Sequence, residues 1–152
     1  MNKKPSENQT THLVFLRDRP LQEIVAGRKR FEIRLSFRGL ACASVHGGDV
    51  LLLKRVGGEV ETACDIGEVL MYRGIPSEEV ARLTHLYAHT DSSWPYLRGY
   101  VPPHNHDRPV DLAIIELLTV CPASLPAELT PRGVRSGWVA NFGGTYATQK
   151  EP

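Results

Sequence analysis

Between Val110 and Val120 the chain reads VDLAIIELLTV, an apolar run too short to cross a membrane and consistent with a buried strand. Two shorter runs have the same character, HLVFLR at 12–17 and DVLLLKRV at 49–56. Turn signals separate these runs. Gly47-Gly48-Asp49 leads into the second, and Gly57-Gly58 divides it from EVETACDIGEVLMYR, so residues 50–56 and 60–72 are expected to pair as a hairpin. Short strands joined by turns, without regular helical crossovers, favour a small mixed or antiparallel barrel over a doubly wound sheet.

Two helices fit between the strands. Asp18 and Pro20 mark the entry of RPLQEIVAGR, in which Leu21, Ile24 and Val25 share a face and Gly27 is the stop. Pro76-Ser77-Glu78-Glu79 opens the second, with Ser77 as cap and Val80, Leu83 and Tyr87 as its buried face. The expected architecture is α+β: about five or six mostly antiparallel strands with two or more helices.

A length of 152 residues suits one domain with a core of its own. Residues 1–11 are polar and aperiodic and read as a disordered leader; 12–120 hold the barrel; 121–152 form an extension that packs on it or is partly disordered. The formal charge of +1 excludes a global basic field, so nucleic-acid binding would need a local patch. Cys42, Cys64 and Cys121 are odd in number and form no CxxC pair, which points to core thiols in a reducing, cytoplasmic setting. No stretch has the length of a membrane span or the core of a signal peptide.

The stretch AGRKRFEIRLS, residues 26–36, raises a choice. Strand period puts Phe31, Ile33 and Leu35 on one face, to be buried in the barrel, and Arg30, Glu32 and Arg34 on the other. Glu32 and Arg34 are then roughly 7 Å apart at Cα. They form either a solvated face, whose ion pair contributes at most about 1 kcal/mol, or the wall of a pocket.

GRKRFEIR resembles the GxKxxExR signature of the ASCH family, whose domains are related to the PUA fold; Gly27, Lys29, Glu32 and Arg34 fall on the motif positions. The order strand, short helix ending in Gly, signature strand, Gly48-Asp49 turn, strand pair, helix and closing strand also matches, over about residues 12–120. The resemblance implies a PUA-like β-barrel with these residues lining a cleft for RNA, another single-stranded nucleic acid or a nucleotide or nucleoside. Lys29 and Arg34 would be cationic partners and Glu32 an acceptor or acid–base group. One branch of the family hydrolyses the amide of acetylcytidine nucleosides. Its catalytic Lys matches Lys29, but a Thr nucleophile stands where this chain has Glu32, and Asp91 is the nearest substitute for its downstream Glu. Other relatives are ribonucleases, a chemistry that Lys29, Arg34 and a histidine could serve. If the chain is an enzyme, Lys29 and Glu32 are its catalytic candidates; a protein-interaction module is a third reading.

DSSWPYLRGYVPPHNHDRP, residues 91–109, is too long for an idle connection. Trp94, Tyr96 and Arg98 either stack on a ligand base or fasten this loop to the barrel. His85, His89, His104 and His106 could form two pairs, yet neither HLYAH nor HNH has its wider metal motif, and no metal or cofactor is expected. Ser136 and Trp138 in the tail are candidates to fold back over the cleft.

Overall fold

The computed structural model describes residues 2–3, 9–86, 108–131, 137–140, 142 and 146–148. In chain order its elements are β1 (Asn2–Lys3), β2 (Thr11–Leu16), α1 (Asp18–Val25), β3 (Phe31–Ser36), β4 (Val50–Arg55) and β5 (Val60–Ile75). Then come α2 (Ser77–His85), β6 (Val110–Ser124), a 3₁₀ turn (Ala127–Leu129), β7 (Trp138–Val139) and β8 (Tyr146–Thr148).

The strands form one curled, half-barrel sheet in the order β1-β8-β6-β5-β4-β2-β7, with β3 branching off β6. β2 and β4 run parallel, from Thr11 beside Val50 to Leu16 beside Arg55; the remaining pairs are antiparallel. This is the small α+β, barrel-like class expected from the sequence. β4 and β5 make the expected hairpin across Gly57-Gly58. Among the described residues there are eight strands, and the surplus over the five or six expected is β1, β7 and β8, of two or three residues each. Strands that short carry no period. β1 lies within the stretch read as a leader, where it pairs with β8, and the buried Thr11 already belongs to β2.

β5 and β6 are the long elements, and each bends. Register shifts fall between Ile66 and Val69 and between Tyr72 and Ile75, so Gly67-Glu68 and Arg73-Gly74 bulge out of the ladder. Gly67 makes room for the Glu116 carboxylate, which accepts the Glu68 N–H: a Cβ there would lie 2.1 Å from Glu116 Oε1 and would displace that side chain.

The main core gathers Val14 and Leu16 of β2, Leu21 and Ile24 of α1, Leu51 and Leu53 of β4, Ala113, Ile115 and Leu117 of β6, and Trp138. Cys42 and Cys64 join it as buried thiols. Val25, read as a third buried residue of α1, is exposed at the last position of the helix. A second cluster sits on the other face of β3 and β6, where Ile33, Leu112 and Ile114 meet Leu83 of α2. Val80 and Leu83 are buried as expected; Tyr87 lies outside the described residues. Among the described residues no helix is long and apolar enough to cross a membrane.

Candidate functional site

The end of α1 delivers the first residue of the site. Gly27 takes a left-handed φ of 77°, which glycine adopts without strain. The Glu23 carbonyl then accepts both Arg28 and Lys29 N–H groups at 3.0 Å, so Lys29 leaves the helix in a fixed direction just ahead of β3.

The register of β3 decides where its charges point. Residues directly opposite in an antiparallel pair share a face. Glu32 faces Ile115 and Arg34 faces Ala113, both in the main core, while Ile33 faces Ile114 in the cluster under α2. The sequence reading is thus corrected. Phe31, Ile33 and Leu35 pack beneath α2, and Glu32 and Arg34 are turned toward the barrel interior, while Arg30, just ahead of the strand, is exposed. The reason is that two apolar layers compete for the strand, and period two does not say which is the larger.

These charges are not a solvated face. Lys29 is 3% exposed and Glu32 5%. Arg34 is the outermost of the three, its side chain 22% exposed. Arg34 Nε donates to Glu32 Oε1 at 2.9 Å, and Lys29 Nζ lies 3.7 Å from Glu32 Oε2. That second oxygen is buried and has no hydrogen-bond partner among the described residues. One carboxylate therefore serves two cations in a poorly hydrated wall, with a formal sum of +1 and one acceptor position open. Removing such ions from water costs several kcal/mol each.

Trp138 extends the site. The Arg34 guanidinium lies 5.7 Å from the Trp138 ring centroid, close enough for a cation–π contact. Gly137 leads into β7 with a left-handed φ of 66°, which glycine adopts without strain, and lies beside Arg34. Trp138 also meets the His12 ring, with the centroids 5.9 Å apart. His12 Nε2 bonds Asp49 Oδ2 at 2.9 Å, and the same carboxylate accepts the His46 N–H at 2.8 Å and the Thr10 N–H at 3.1 Å. The Gly48-Asp49 turn thereby closes on β2. Cys42 stands within electrostatic reach of both Arg34 and Glu32, and burial pushes its thiol up to about 11.

Of the residues singled out in the sequence, Lys29, Glu32 and Arg34 come together, and Trp138 joins them as part of the core, not as a cover over the cleft. Trp94, Tyr96, Arg98, Asp91, His89, His104, His106 and Ser136 lie outside the described residues, and His85 ends α2. His12 and Asp49 were missed as partners of the site. A histidine inside an otherwise apolar run is a signal that it has a buried partner. Among the described residues no three His, Cys, Asp or Glu side chains group to hold a metal.

No protein-family model matches the sequence, and no curated protein does. Solved structures do match the fold. A serine-to-alanine mutant of ZmASCH from Zymomonas mobilis superposes with a TM-score of 0.65 at 12% identity, covering 88% of this chain and 89% of that one. A tyrosine-to-phenylalanine mutant of the same protein gives 0.63 at 13% identity over 87% and 90% of the two chains. The ASCH structure from Zymomonas mobilis gives 0.58 at 15% identity, with 79% and 76% covered. The chain has the fold of an ASCH-like domain.

Proposed function

We propose that the protein binds RNA or a modified nucleotide at the Lys29–Glu32–Arg34 wall. The observation that carries this reading is Glu32: a buried carboxylate held by two cations, whose Oε2 accepts no hydrogen bond among the described residues. Arg34, the least buried of the three, offers a planar cation to a phosphate or a base edge, while Lys29 supplies a point charge behind it. The exposed large hydrophobics among the described residues support a polar ligand over a protein-interaction face. They are Val25, Val56, Leu86, Leu118, Val120 and Leu129, and only Leu118 and Val120 share an element. Binding of an oligonucleotide and nucleoside panel tests the reading: Lys29→Ala and Arg34→Ala should each weaken it. Undiminished binding by both variants would place the ligand elsewhere.

A hydrolase is the second reading, favoured by the open Glu32 oxygen beside Lys29 Nζ at 3.7 Å. Glu32 would take a proton from water as it attacks an acetylcytidine carbonyl, and Lys29 would stabilise the oxyanion. Glu32 would then return the proton to the cytosine nitrogen as the C–N bond breaks and acetate is released. In a ribonuclease Glu32 would take the proton of a ribose 2′-hydroxyl as its oxygen attacks phosphorus and the protonated 5′-oxygen leaves. Chromatography after incubation with acetylcytidine and with labelled RNA tests it. Turnover that disappears in Lys29→Ala and Glu32→Gln supports catalysis, and no turnover by the wild type removes it.

A further inference from the structure

β4 and β5 separate two cores. They turn Leu51, Leu53 and Cys64 to the main core, and Val50, Leu52 and Ala63 to a third cluster that includes Tyr146 of β8. On that second side, away from Lys29, Glu32 and Arg34, lies a cavity of about 60 Å³ whose polar wall is Asp65, Thr119, Cys121, Tyr146 and Thr148. A bulge adjoins it. Cys64 pairs with Val120 and Asp65 with Leu118, so Thr119 of β6 has no partner in the ladder. Thr119 holds a φ of 37°, the left-handed region in which a β-branched residue is strained, and among the described residues it is the only non-glycine there. Strain of this kind persists where the surrounding structure over-determines it, and it gathers at binding sites.

The polar groups of this wall are not bonded to one another. Asp65 stands opposite Val50 of β4 and so shares its face. Among the described residues the Asp65 carboxylate has no ion pair and no hydrogen bond. Tyr146 is 2% exposed, yet its hydroxyl likewise bonds no described residue. Burial lifts the phenol, and the neighbouring Asp65 and Cys121 lift it further through charge alone. A hydroxyl enclosed this far is normally hydrogen-bonded. What Asp65 and Tyr146 share is the cavity.

Size and charge narrow the occupant. At about 15 Å³ for each enclosed water, the cavity has room for roughly four non-hydrogen atoms. Asp65 is the one carboxylate in its wall, which no lysine or arginine joins, so an anion is repelled and a cation is drawn in. The hydroxyls of Thr119, Tyr146 and Thr148 add acceptors for N–H groups, while Val50 and Ala63 supply an apolar flank. Among the described residues no set of side chains groups to hold a metal ion. We propose that this cavity is a second binding site, which takes the primary ammonium group of a short-chain amine against Asp65, Thr119 and Tyr146. The site stands apart from the Lys29–Glu32–Arg34 wall and does not rest on the ligand assigned there.

Chemical-shift titrations of the isotope-labelled full chain at constant ionic strength test the site with four probes. Propylammonium has four non-hydrogen atoms and the N–H donors; 1-propanol lacks the charge, propionate reverses it, and tetramethylammonium keeps it without a donor. Propylammonium should give saturable shifts centred on Asp65, Thr119 and Thr148, and each of the other three should bind at least about tenfold more weakly. Asp65→Asn should weaken propylammonium at least about tenfold, as loss of a hydrogen bond to a charged group requires. Tyr146→Phe keeps the ring in the core and should weaken it about threefold, the loss of one neutral hydrogen bond. Glu78→Gln removes the same charge from α2, which packs under a different cluster, and should leave the titration unchanged. Propanol or tetramethylammonium binding as tight as propylammonium overturns the site. So does an Asp65→Asn or a Tyr146→Phe variant that titrates like wild type, and so do shifts that follow exposed carboxylates everywhere without saturating. Propylammonium binding that Lys29→Ala and Arg34→Ala leave intact supports the site whether or not those variants still bind a nucleotide.

Discussion

Arg34 is held between Glu32 and Trp138: its Nε lies 2.9 Å from a Glu32 carboxylate oxygen, and its guanidinium lies 5.7 Å from the Trp138 ring centroid. The wall of the site and the barrel core are thus the same structure. Charge on β3 is oriented by a residue more than a hundred positions away in sequence, through β7 and its pairing with β2.

Glu32 is the residue whose loss should be felt first. Glu32→Gln leaves Lys29, 3% exposed, without the carboxylate that offsets its desolvation. Breaking a buried pair from one side costs about 3–5 kcal/mol, so the urea midpoint should fall markedly. Lys29→Met combined with Glu32→Gln should recover part of the loss, because the buried ammonium is gone. A midpoint of Glu32→Gln equal to wild type would show the cluster to be hydrated, not buried.

Trp138→Ala should cost about 3–5 kcal/mol, the range for emptying a buried large aromatic position. It removes a core residue, the support under Arg34 and the contact with His12 together. Trp138→Phe keeps a ring at the same place and should cost less, with ligand affinity closer to wild type. Equal losses in the two variants would mean that the indole's size, and not its face beneath Arg34, is what matters.

Much of this was legible in the sequence, and the remainder was hidden for identifiable reasons. Strand period alone puts Glu32 and Arg34 within reach of each other, but it reads equally as a solvated face; it is the resemblance to the GxKxxExR signature that joins Lys29 to them as one site. Which face of β3 meets the larger core was not legible, since Ile33 and Glu32 each have an apolar layer opposite, Ile114 and Ile115. Trp138 and His12 meet through β2–β7 pairing of only two residue pairs, Leu13 with Val139 and Val14 with Trp138, which leaves no periodic trace. Conversely, the Gly48-Asp49 turn was recognised from its letters, but its three acceptor contacts follow only from the approach of Thr10 and His12.

Those contacts make Asp49 a sensitive position. Asp49→Asn keeps the shape but replaces one accepting oxygen with an amide that donates, opposite either a backbone N–H or the His12 ring. A buried donor left unsatisfied costs about 1–3 kcal/mol, more where the lost acceptor was charged. Amide exchange should quicken at Thr10 and His46 before the rest of the sheet. Exchange that rises uniformly across the chain would assign Asp49 to global stability alone.

Stability should fall in alkali. Burial raises the Cys42 thiol from 9.0 to about 11, raises Cys64 further, and lifts the Tyr146 phenol. Each group is neutral in the folded chain at a pH where the unfolded chain has begun to ionise. The contribution is therefore whole below about pH 9 and is lost as pH rises toward about 11. For Cys42 the loss is about 2–3 kcal/mol over that window, at about 1.4 kcal/mol per unit. Urea midpoints at pH 8 and pH 10.5 measure it, and Cys42→Ala should flatten the fall. A midpoint independent of pH would contradict the burial of both thiols.

Arg34→Lys separates charge from shape. Lysine retains the cation but has no Nε in the plane of a guanidinium, so the bond to Glu32 Oε1 and the flat contact with Trp138 both go. Losing a hydrogen bond to a charged group costs about 1.5–3 kcal/mol, and stability should drop toward the low end because the side chain is partly exposed. Ligand binding is the sharper readout. If Arg34 grips a phosphate or base edge through two parallel N–H groups, Arg34→Lys should lose about tenfold in affinity while keeping the salt slope of the wild type. Arg34→Ala should lose more affinity and flatten the slope by about 0.7, one phosphate contact on a single strand. If Arg34→Lys instead binds as tightly as wild type, a point charge is all the ligand requires there. The planar geometry would then serve Glu32 and Trp138 alone.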